Sequence, residues 1–184
     1  MEDVVVFNSS NLSDTYMNFE LCEKYTNASS LLKCFDLKVD SHVGTGSEVV
    51  SYKTHYAYPY EVDDGQYLRF LLGSFKQYHF MTNVKFEKAW WVDYPINSYA
   101  GLHRHEHHDG REQITTVLFL TTSEPDTVNT HEGFLYTVNG DMYKEHRPVI
   151  GDVYGFNGRI WHGTYPTKQP RKAFVCDVSF DYAF

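Results

Sequence analysis

The sequence has no long apolar run, few cysteines and no basic segment at its start. No stretch approaches the roughly 20 apolar residues of a membrane-spanning helix, which argues against a transmembrane protein. The three cysteines (Cys22, Cys34 and Cys176) are odd in number and lack metal-ligand spacing, as expected of free thiols in a reducing compartment. The opening Met-Glu-Asp-Val-Val-Val-Phe has acids where a signal peptide has basic residues. We therefore expect a cytoplasmic protein without a membrane partner.

Positive charge is also scarce, with 16 basic against 24 acidic residues and a net charge of −8. This balance gives no strong nucleic-acid signal. Apolar residues (42%) and charged residues (22%) stand near ordinary globular usage, which argues against disorder. The 184 residues contain no repeat or linker, so the sequence predicts one domain over 1–184. Within it we expect a helical and mixed support over about 1–83 and a β-rich core over about 84–184.

Aromatic residues are abundant, at 17% of the chain, and they favour strands. One clear helix is predicted over Asp63 to Tyr78, where leucines and a phenylalanine recur at helical spacing. From Val84 onward the pattern changes to short strands separated by turn signals, including Asn139-Gly140, a strong hairpin signal. This order predicts a mainly β, jelly-roll-type barrel, that is, a double-stranded β-helix, with an N-terminal helical layer.

The segment from Gly101 to Asp109 holds four of the ten histidines within six residues. On a strand, His103, His105, His107 and Asp109 would point to one face, because side chains alternate. Imidazole and carboxylate ligands suit Fe(II), Zn, Mn or Ni. The alternative is a solvated histidine-rich loop that binds metal only opportunistically.

Two later residues favour a built site. His162 follows a glycine-rich strand and turn about 60 residues on, where it could return to the histidine segment as a distal ligand. Arg171 starts the next predicted strand, and a guanidinium inside a barrel needs an anion such as a carboxylate. An ion pair between Arg171 and an acidic residue at the surface would explain this arginine equally well.

These residues lie in an order that resembles the 2-oxoglutarate/Fe(II)-dependent oxygenase superfamily, in particular its prolyl-hydroxylase-like branch. The similarity runs from about Trp90 to Phe180, roughly half of the chain. In order, the matching positions are Tyr94, His103, Ile114 to Leu120, Glu132 to Leu135, Pro148 to Phe156, His162, Pro166 and Arg171.

The resemblance implies Fe(II) as the metal and 2-oxoglutarate as a cosubstrate whose far carboxylate Arg171 holds. Tyr94 and the pair Thr115 and Thr116 are candidates for lining the cosubstrate pocket. The expected activity is hydroxylation of a C–H bond, with O₂ and a small-molecule or peptide substrate as partners.

One departure concerns the ligand set. Gapless spacing places the family's aspartate on His105, so the expected ligands are His103, His105 and His162. The alternative pair is His107 and Asp109, which restores the family's His-x-Asp. Three imidazoles leave the site one negative charge poorer than two imidazoles and a carboxylate. A catalytically degenerate binding or structural barrel is therefore an open alternative.

A second departure is Ala173, where many relatives carry a serine. The cupins, which share the barrel and use His-x-His, are a rival resemblance. They imply an isomerase or a dioxygenase that does not use 2-oxoglutarate.

Overall fold

The structure is a computed structural model that describes residues 19–35, 42–43, 53–57, 62–105, 110–123 and 131–183. Two α-helices lie in this part of the chain, α1 (Ala28–Phe35) and α2 (Gln66–Phe75), and a 3-10 turn (Val62–Gly65) precedes α2. None of the described helices is long and apolar enough to cross a membrane.

Strands are the commonest element of the described chain. They are β1 (Glu20–Lys24), β2 (His42–Val43), β3 (Lys53–Ala57), β4 (Met81–Tyr94), β5 (Glu112–Phe119), β6 (Leu135–Asn139), β7 (Met142–His146), β8 (Asp152–Asn157), β9 (Trp161–Thr164) and β10 (Arg171–Tyr182).

The described strands form two antiparallel sheets. The larger sheet has the order β1-β8-β5-β10-β4-β3-β2, and the smaller has the order β7-β6-β9. In the larger sheet β10 lies between β5 and β4, with Val175 opposite Val117 on one side and Trp90 on the other. Residues opposite each other in antiparallel strands share a face of the sheet, so these three side chains point the same way.

Alternation along the central strands gives the larger sheet two buried faces. One face packs against the helices, through Phe174, Cys176, Val178 and Phe180 of β10 together with Tyr67, Leu71 and Phe75. The other face packs toward the smaller sheet, through Val92, Tyr94, Val117, Phe119, Ala173 and Val175 together with Leu135 and Ile160. The candidate site lies on this second face.

This arrangement is the predicted mainly β jelly roll. β6 and β7 are joined at Asn139 and Gly140 as predicted, and Gly140 has a φ of 61° in the turn. β1, from the predicted support segment, pairs with β8 of the predicted core. The one-domain organisation over 1–184 and its division near residue 83 stay predictions.

The predicted helix from Asp63 begins later than expected. Asp63 and Asp64 have φ values of 51° and 50°, and Gly65 has a φ of 69°. Left-handed backbone cannot continue a right-handed helix, so α2 begins at Gln66. Instead of capping the helix, the Asp63 carboxylate accepts a hydrogen bond from the Tyr25 hydroxyl.

Candidate metal and cosubstrate site

Three histidines from two separate segments converge in the cavity between the sheets. His103, His105 and His162 each offer one ring nitrogen, and these atoms lie within 4.8 Å of one another. His162 is buried, with 4% of its surface exposed, and the other two are partly buried. Three imidazole nitrogens gathered in this way could hold one metal ion.

Backbone pairing positions the three rings. The His103 amide donates to the His162 carbonyl at 2.9 Å, and the His162 amide donates to the His103 carbonyl at 2.8 Å. This reciprocal bridge places the two residues opposite each other on one face. The His105 amide donates to the Gly158 carbonyl at 3.0 Å. The expected histidine strand is therefore a single bridge at His103 within the described residues.

Each ring has a hydrogen-bond acceptor near its Nδ1 atom. Nδ1 of His103 lies 2.7 Å from the Gly101 carbonyl, and Nδ1 of His162 lies 3.0 Å from the Ile160 carbonyl. Because a carbonyl can only accept, Nδ1 of both rings carries the proton and Nε2 keeps its lone pair. Nδ1 of His105 lies 2.8 Å from a carboxylate oxygen of Asp177. All three rings can thus offer Nε2 to the same ion.

Burial keeps two of these rings neutral. It lowers the pKa of His162 well below its usual range, and the neighbouring His103 and His105 lower it further. Burial also lowers the pKa of His103, against the opposing effect of the Gly101 carbonyl. Neutral imidazole is the form that binds metal ions.

The alternative ligand pair, His107 and Asp109, lies outside the described residues. The choice between the two ligand sets stays a prediction. The geometry described here concerns the set His103, His105 and His162.

Arg171 begins β10 and its side chain lines the same cavity. The residue is 3% exposed, and its Nε and Nη1 atoms have no hydrogen-bond partner among the described residues. Burial lowers the pKa of the guanidinium, opposed by Tyr94. Hydrogen-bond donors left unpaired in a buried cation are costly, and a carboxylate would satisfy them.

The ring of Tyr94 packs against the guanidinium of Arg171. Tyr94 lies directly opposite Arg171 in the β4–β10 pair, and its ring centre is 4.3 Å from the Arg171 Cζ atom. This is a cation–π contact. Burial raises the pKa of the Tyr94 phenol, and the neighbouring Arg171 opposes this effect. The predicted position of Tyr94 beside the cosubstrate pocket therefore agrees with the cavity lining.

Gly133 leaves space for the guanidinium. Its φ is 63°, and a Cβ atom there would lie 3.2 Å from Arg171 Nη1 and 3.1 Å from Ser123 Oγ. A side chain would be strained by the backbone and would crowd Arg171. This explains the glycine in the segment from Glu132 to Leu135.

The expected threonine pair divides between the two faces of β5. Thr115 lines the cavity, whereas the Thr116 hydroxyl donates to the Cys176 carbonyl at 3.2 Å. Alternation along the strand allows only one of two neighbours to face the cavity. Thr116 is therefore not a lining residue. Ala173 lines the cavity without offering a hydrogen bond.

Asp177 was missed by the sequence analysis. It is 5% exposed and contacts His105 and Thr115 on the cavity side. The sequence contained one signal for this position. Asp177 lies six residues after Arg171 on one strand, and residues an even number apart on a strand share a face, so both lie on the cavity side.

The donors present fit both groups that the resemblance implies. Three imidazole nitrogens suit Fe(II) and other first-row divalent ions. Arg171, with its two unpartnered nitrogens, suits the far carboxylate of a dicarboxylate such as 2-oxoglutarate.

No protein-family model and no curated protein matches the sequence. Solved structures do match. A Pseudomonas putida prolyl-4-hydroxylase has a TM-score of 0.66 and 14% identity over 92% of this chain and 96% of that chain. A viral collagen prolyl hydroxylase of Paramecium Bursaria Chlorella virus-1, in its 2-oxoglutarate complex, has a TM-score of 0.65 and 13% identity over 88% and 96%.

Another similar structure is HygX of Streptomyces hygroscopicus, with nickel and 2-oxoglutarate bound. It has a TM-score of 0.63 and 12% identity over 95% of this chain and 87% of that chain. At such low identities these likenesses concern the fold. They show that this chain has the jelly-roll fold of the 2-oxoglutarate/Fe(II) oxygenases.

Proposed function

We propose that the protein is a 2-oxoglutarate- and Fe(II)-dependent oxygenase that hydroxylates a C–H bond. The observation that carries this proposal is that one cavity contains both a cluster of three histidines and a buried, incompletely paired guanidinium. A metal ion would bind the imidazoles, and a metal-bound dicarboxylate would pair with Arg171.

The proposed roles follow from the positions of the side chains. His103, His105 and His162 would hold the metal through Nε2. Arg171 would hold the far carboxylate of 2-oxoglutarate through a charge-assisted pair, with Tyr94 fixing the plane of the guanidinium.

A bound Fe(II) with open coordination positions would supply the reaction with O₂ and the oxidative decarboxylation of 2-oxoglutarate. The protein orients the cosubstrate and excludes water. Apolar residues from both sheets line the cavity that contains Arg171 and the histidines, namely Val92, Val117, Phe119, Leu135, Ala173 and Val175. Low polarity between the two charged ends strengthens both electrostatic contacts.

The substrate in this proposal is a small molecule or a peptide. Two of the structures described above are prolyl hydroxylases, and another protein with this fold was solved with a peptide fragment bound, the Trichoplax adhaerens prolyl hydroxylase. Trp90 lines the cavity and its indole lies 5.5 Å from the His105 ring, between ring centres. An aromatic wall beside the metal could orient an incoming substrate.

The test is an anaerobic titration of the Fe(II)-loaded protein with 2-oxoglutarate, followed by the absorption band of the metal–cosubstrate complex. We expect the band in the wild type. Arg171→Ala should weaken 2-oxoglutarate binding by about 100-fold or more, since charge-assisted hydrogen bonds contribute about 1.5–3 kcal/mol each. Metal affinity should change little. Arg69→Ala is the matched control, because Arg69 is exposed on α2.

The His-x-His sequence favours one other function, a cupin-type metal protein that does not use 2-oxoglutarate. The same titration separates the two. Stoichiometric metal binding without any 2-oxoglutarate band would support the cupin-type function. The absence of stoichiometric metal binding would support a degenerate binding or structural barrel.

A further inference from the structure

Asp177 is a buried acid in the centre of the larger sheet. It lies in β10 between Thr115 of β5 and Lys88 of β4, which are its direct neighbours across the two strand pairs. Asp177 follows Arg171 by an even number of residues on β10, before the register of the β4–β10 pair shifts, so its carboxylate lies on the same cavity face. There it contacts His105 of the histidine cluster.

Asp177 contacts Thr115 and His105 through the same carboxylate oxygen. Its Oδ1 atom accepts from the Thr115 hydroxyl at 2.8 Å and lies 2.8 Å from Nδ1 of His105. The Thr115 oxygen is 2.9 Å from the same ring nitrogen. Because Thr115 donates its proton to the carboxylate, both neighbours of Nδ1 are acceptors. This environment selects the His105 tautomer with the proton on Nδ1.

The other two histidines achieve the same state without a carboxylate. His103 and His162 each use the backbone carbonyl two residues earlier, from Gly101 and Ile160. For His105, the acceptor beside Nδ1 is the Asp177 carboxylate from another strand, in place of the backbone carbonyl two residues earlier.

We propose that Asp177 is the positioning residue of the metal site. It holds the lone pair of His105 Nε2 toward the metal and places a negative charge beside a cluster that contains only neutral ligands. This inference rests on the proposed function in one respect, that the three histidines bind a metal. A carboxylate behind a metal-bound histidine fixes the tautomer and increases the basicity of the ligand.

The test compares wild type, Asp177→Asn and Asp181→Asn. Asp181 is the matched control, because it lies on the same strand, its side chain is 44% exposed, and it pairs with Arg111 instead of the histidines. An asparagine can turn its amide N–H toward Nδ1 and so permit the tautomer that carries its proton on Nε2. Long-range ¹H–¹⁵N spectra of the metal-free proteins at about pH 8 report each histidine tautomer directly.

We expect His105 to carry its proton on Nδ1 in the wild type and in Asp181→Asn, and to populate the other tautomer in Asp177→Asn. Titration with Co(II) and Zn(II) should show affinity about 10- to 100-fold weaker in Asp177→Asn, the usual effect of removing such a partner. Asp181→Asn should match the wild type. Thr115→Val keeps the carboxylate and should keep the wild-type tautomer.

A proton on Nε2 of His105 in the wild type would overturn the proposal, and this measurement needs no variant to fold. Equal metal affinities for Asp177→Asn and Asp181→Asn would also overturn it. If the wild type bound no metal, the proposed function would fail, while the tautomer spectra would still decide whether Asp177 positions His105.

Discussion

Replacing Arg171 by methionine should stabilise the ligand-free protein and remove its response to 2-oxoglutarate. The side chain is 3% exposed, and two of its nitrogens lack partners among the described residues. Burial lowers the pKa of the guanidinium, as expected of a cation removed from water. Methionine has a similar length and no donors to satisfy.

The expected gain follows from opposing contributions. Two unpartnered donors cost about 1–3 kcal/mol each, so removing both stabilises the fold by about 2–6 kcal/mol. The cation–π contact with Tyr94, worth roughly 2 kcal/mol when desolvated, is lost. The net stabilisation is therefore between about 0 and 4 kcal/mol, with each kcal/mol raising Tm by roughly 2–4 °C in a chain of this size.

The assay is thermal unfolding followed by circular dichroism, first with a chelator and then anaerobically with Fe(II) and 2-oxoglutarate. A ligand at 100 times its Kd stabilises the folded state by about 2.7 kcal/mol, so the wild-type Tm should rise by roughly 5–10 °C. Arg171→Met should show no rise on addition of 2-oxoglutarate. Arg69→Met, altered on the exposed side of α2, should behave as the wild type.

Two results would refute this reasoning. A lower Tm of ligand-free Arg171→Met would show that the guanidinium stabilises the fold. An undiminished response to 2-oxoglutarate in the variant would show that Arg171 does not hold the cosubstrate.

Three further predictions concern the ligands, pH and backbone. His103→Ala should reduce metal affinity by orders of magnitude and Asp109→Ala should barely change it in a metal titration; the opposite ranking would favour the His107 and Asp109 pair. Burial lowers the pKa of His146 to about 4 in the folded protein, whereas its ordinary value is near 6.5. Between pH 6.5 and pH 4 the unfolded chain therefore binds more protons than the folded protein, and stability falls as the pH decreases. From pH 7 to pH 5, the loss of unfolding free energy measured in urea should be about 1 kcal/mol smaller in His146→Gln than in the wild type, discounted for partial exposure. His103 and His162, whose pKa values burial also lowers, contribute equally in both proteins. Equal losses would contradict the prediction. Gly133→Ala should lower the free energy of unfolding by about 1–2 kcal/mol, because Gly133 has a left-handed backbone conformation. Gly73→Ala, in open space on α2, should raise the free energy of unfolding by about 1 kcal/mol. A change of the same sign in both variants would contradict the argument.

Local patterns were sufficient to predict the fold class. Short strands with turn signals predicted the jelly roll, and the Asn139-Gly140 turn marked the hairpin of β6 and β7. The start of α2 was wrong because Asp63 and Asp64 adopt left-handed backbone, which neither residue type requires. The N-terminal strand β1 was missed because it exists through pairing with β8, a contact made more than 120 residues away.

In the candidate site, too, some features could be predicted from the local sequence, and others depend on contacts between residues far apart in the chain. His103, His105 and His162 were recognised from residue type and spacing, and the structure brings the three rings together. In the described part of this segment, the expected strand is a single bridge at His103, so strand pairing is not what aligns the rings. What aligns the rings is the hydrogen bonding at each Nδ1, which depends on backbone carbonyls and on a carboxylate from another strand.

Asp177 shows why contacts between distant parts of the chain were needed to complete the description of the site. β10 is buried on both faces for most of its length, so its apolar residues do not alternate with polar ones and give no register. A carboxylate in the middle of such a strand is nevertheless a signal, because an unpaired charge there would be destabilising. It requires a donor on a neighbouring strand or loop. Counting from Arg171 places Asp177 on the cavity face, and the donors found there are Thr115 and a histidine of the candidate metal cluster. A buried acid that shares a strand face with a candidate anion-binding arginine is therefore a position to examine for a metal-ligand partner.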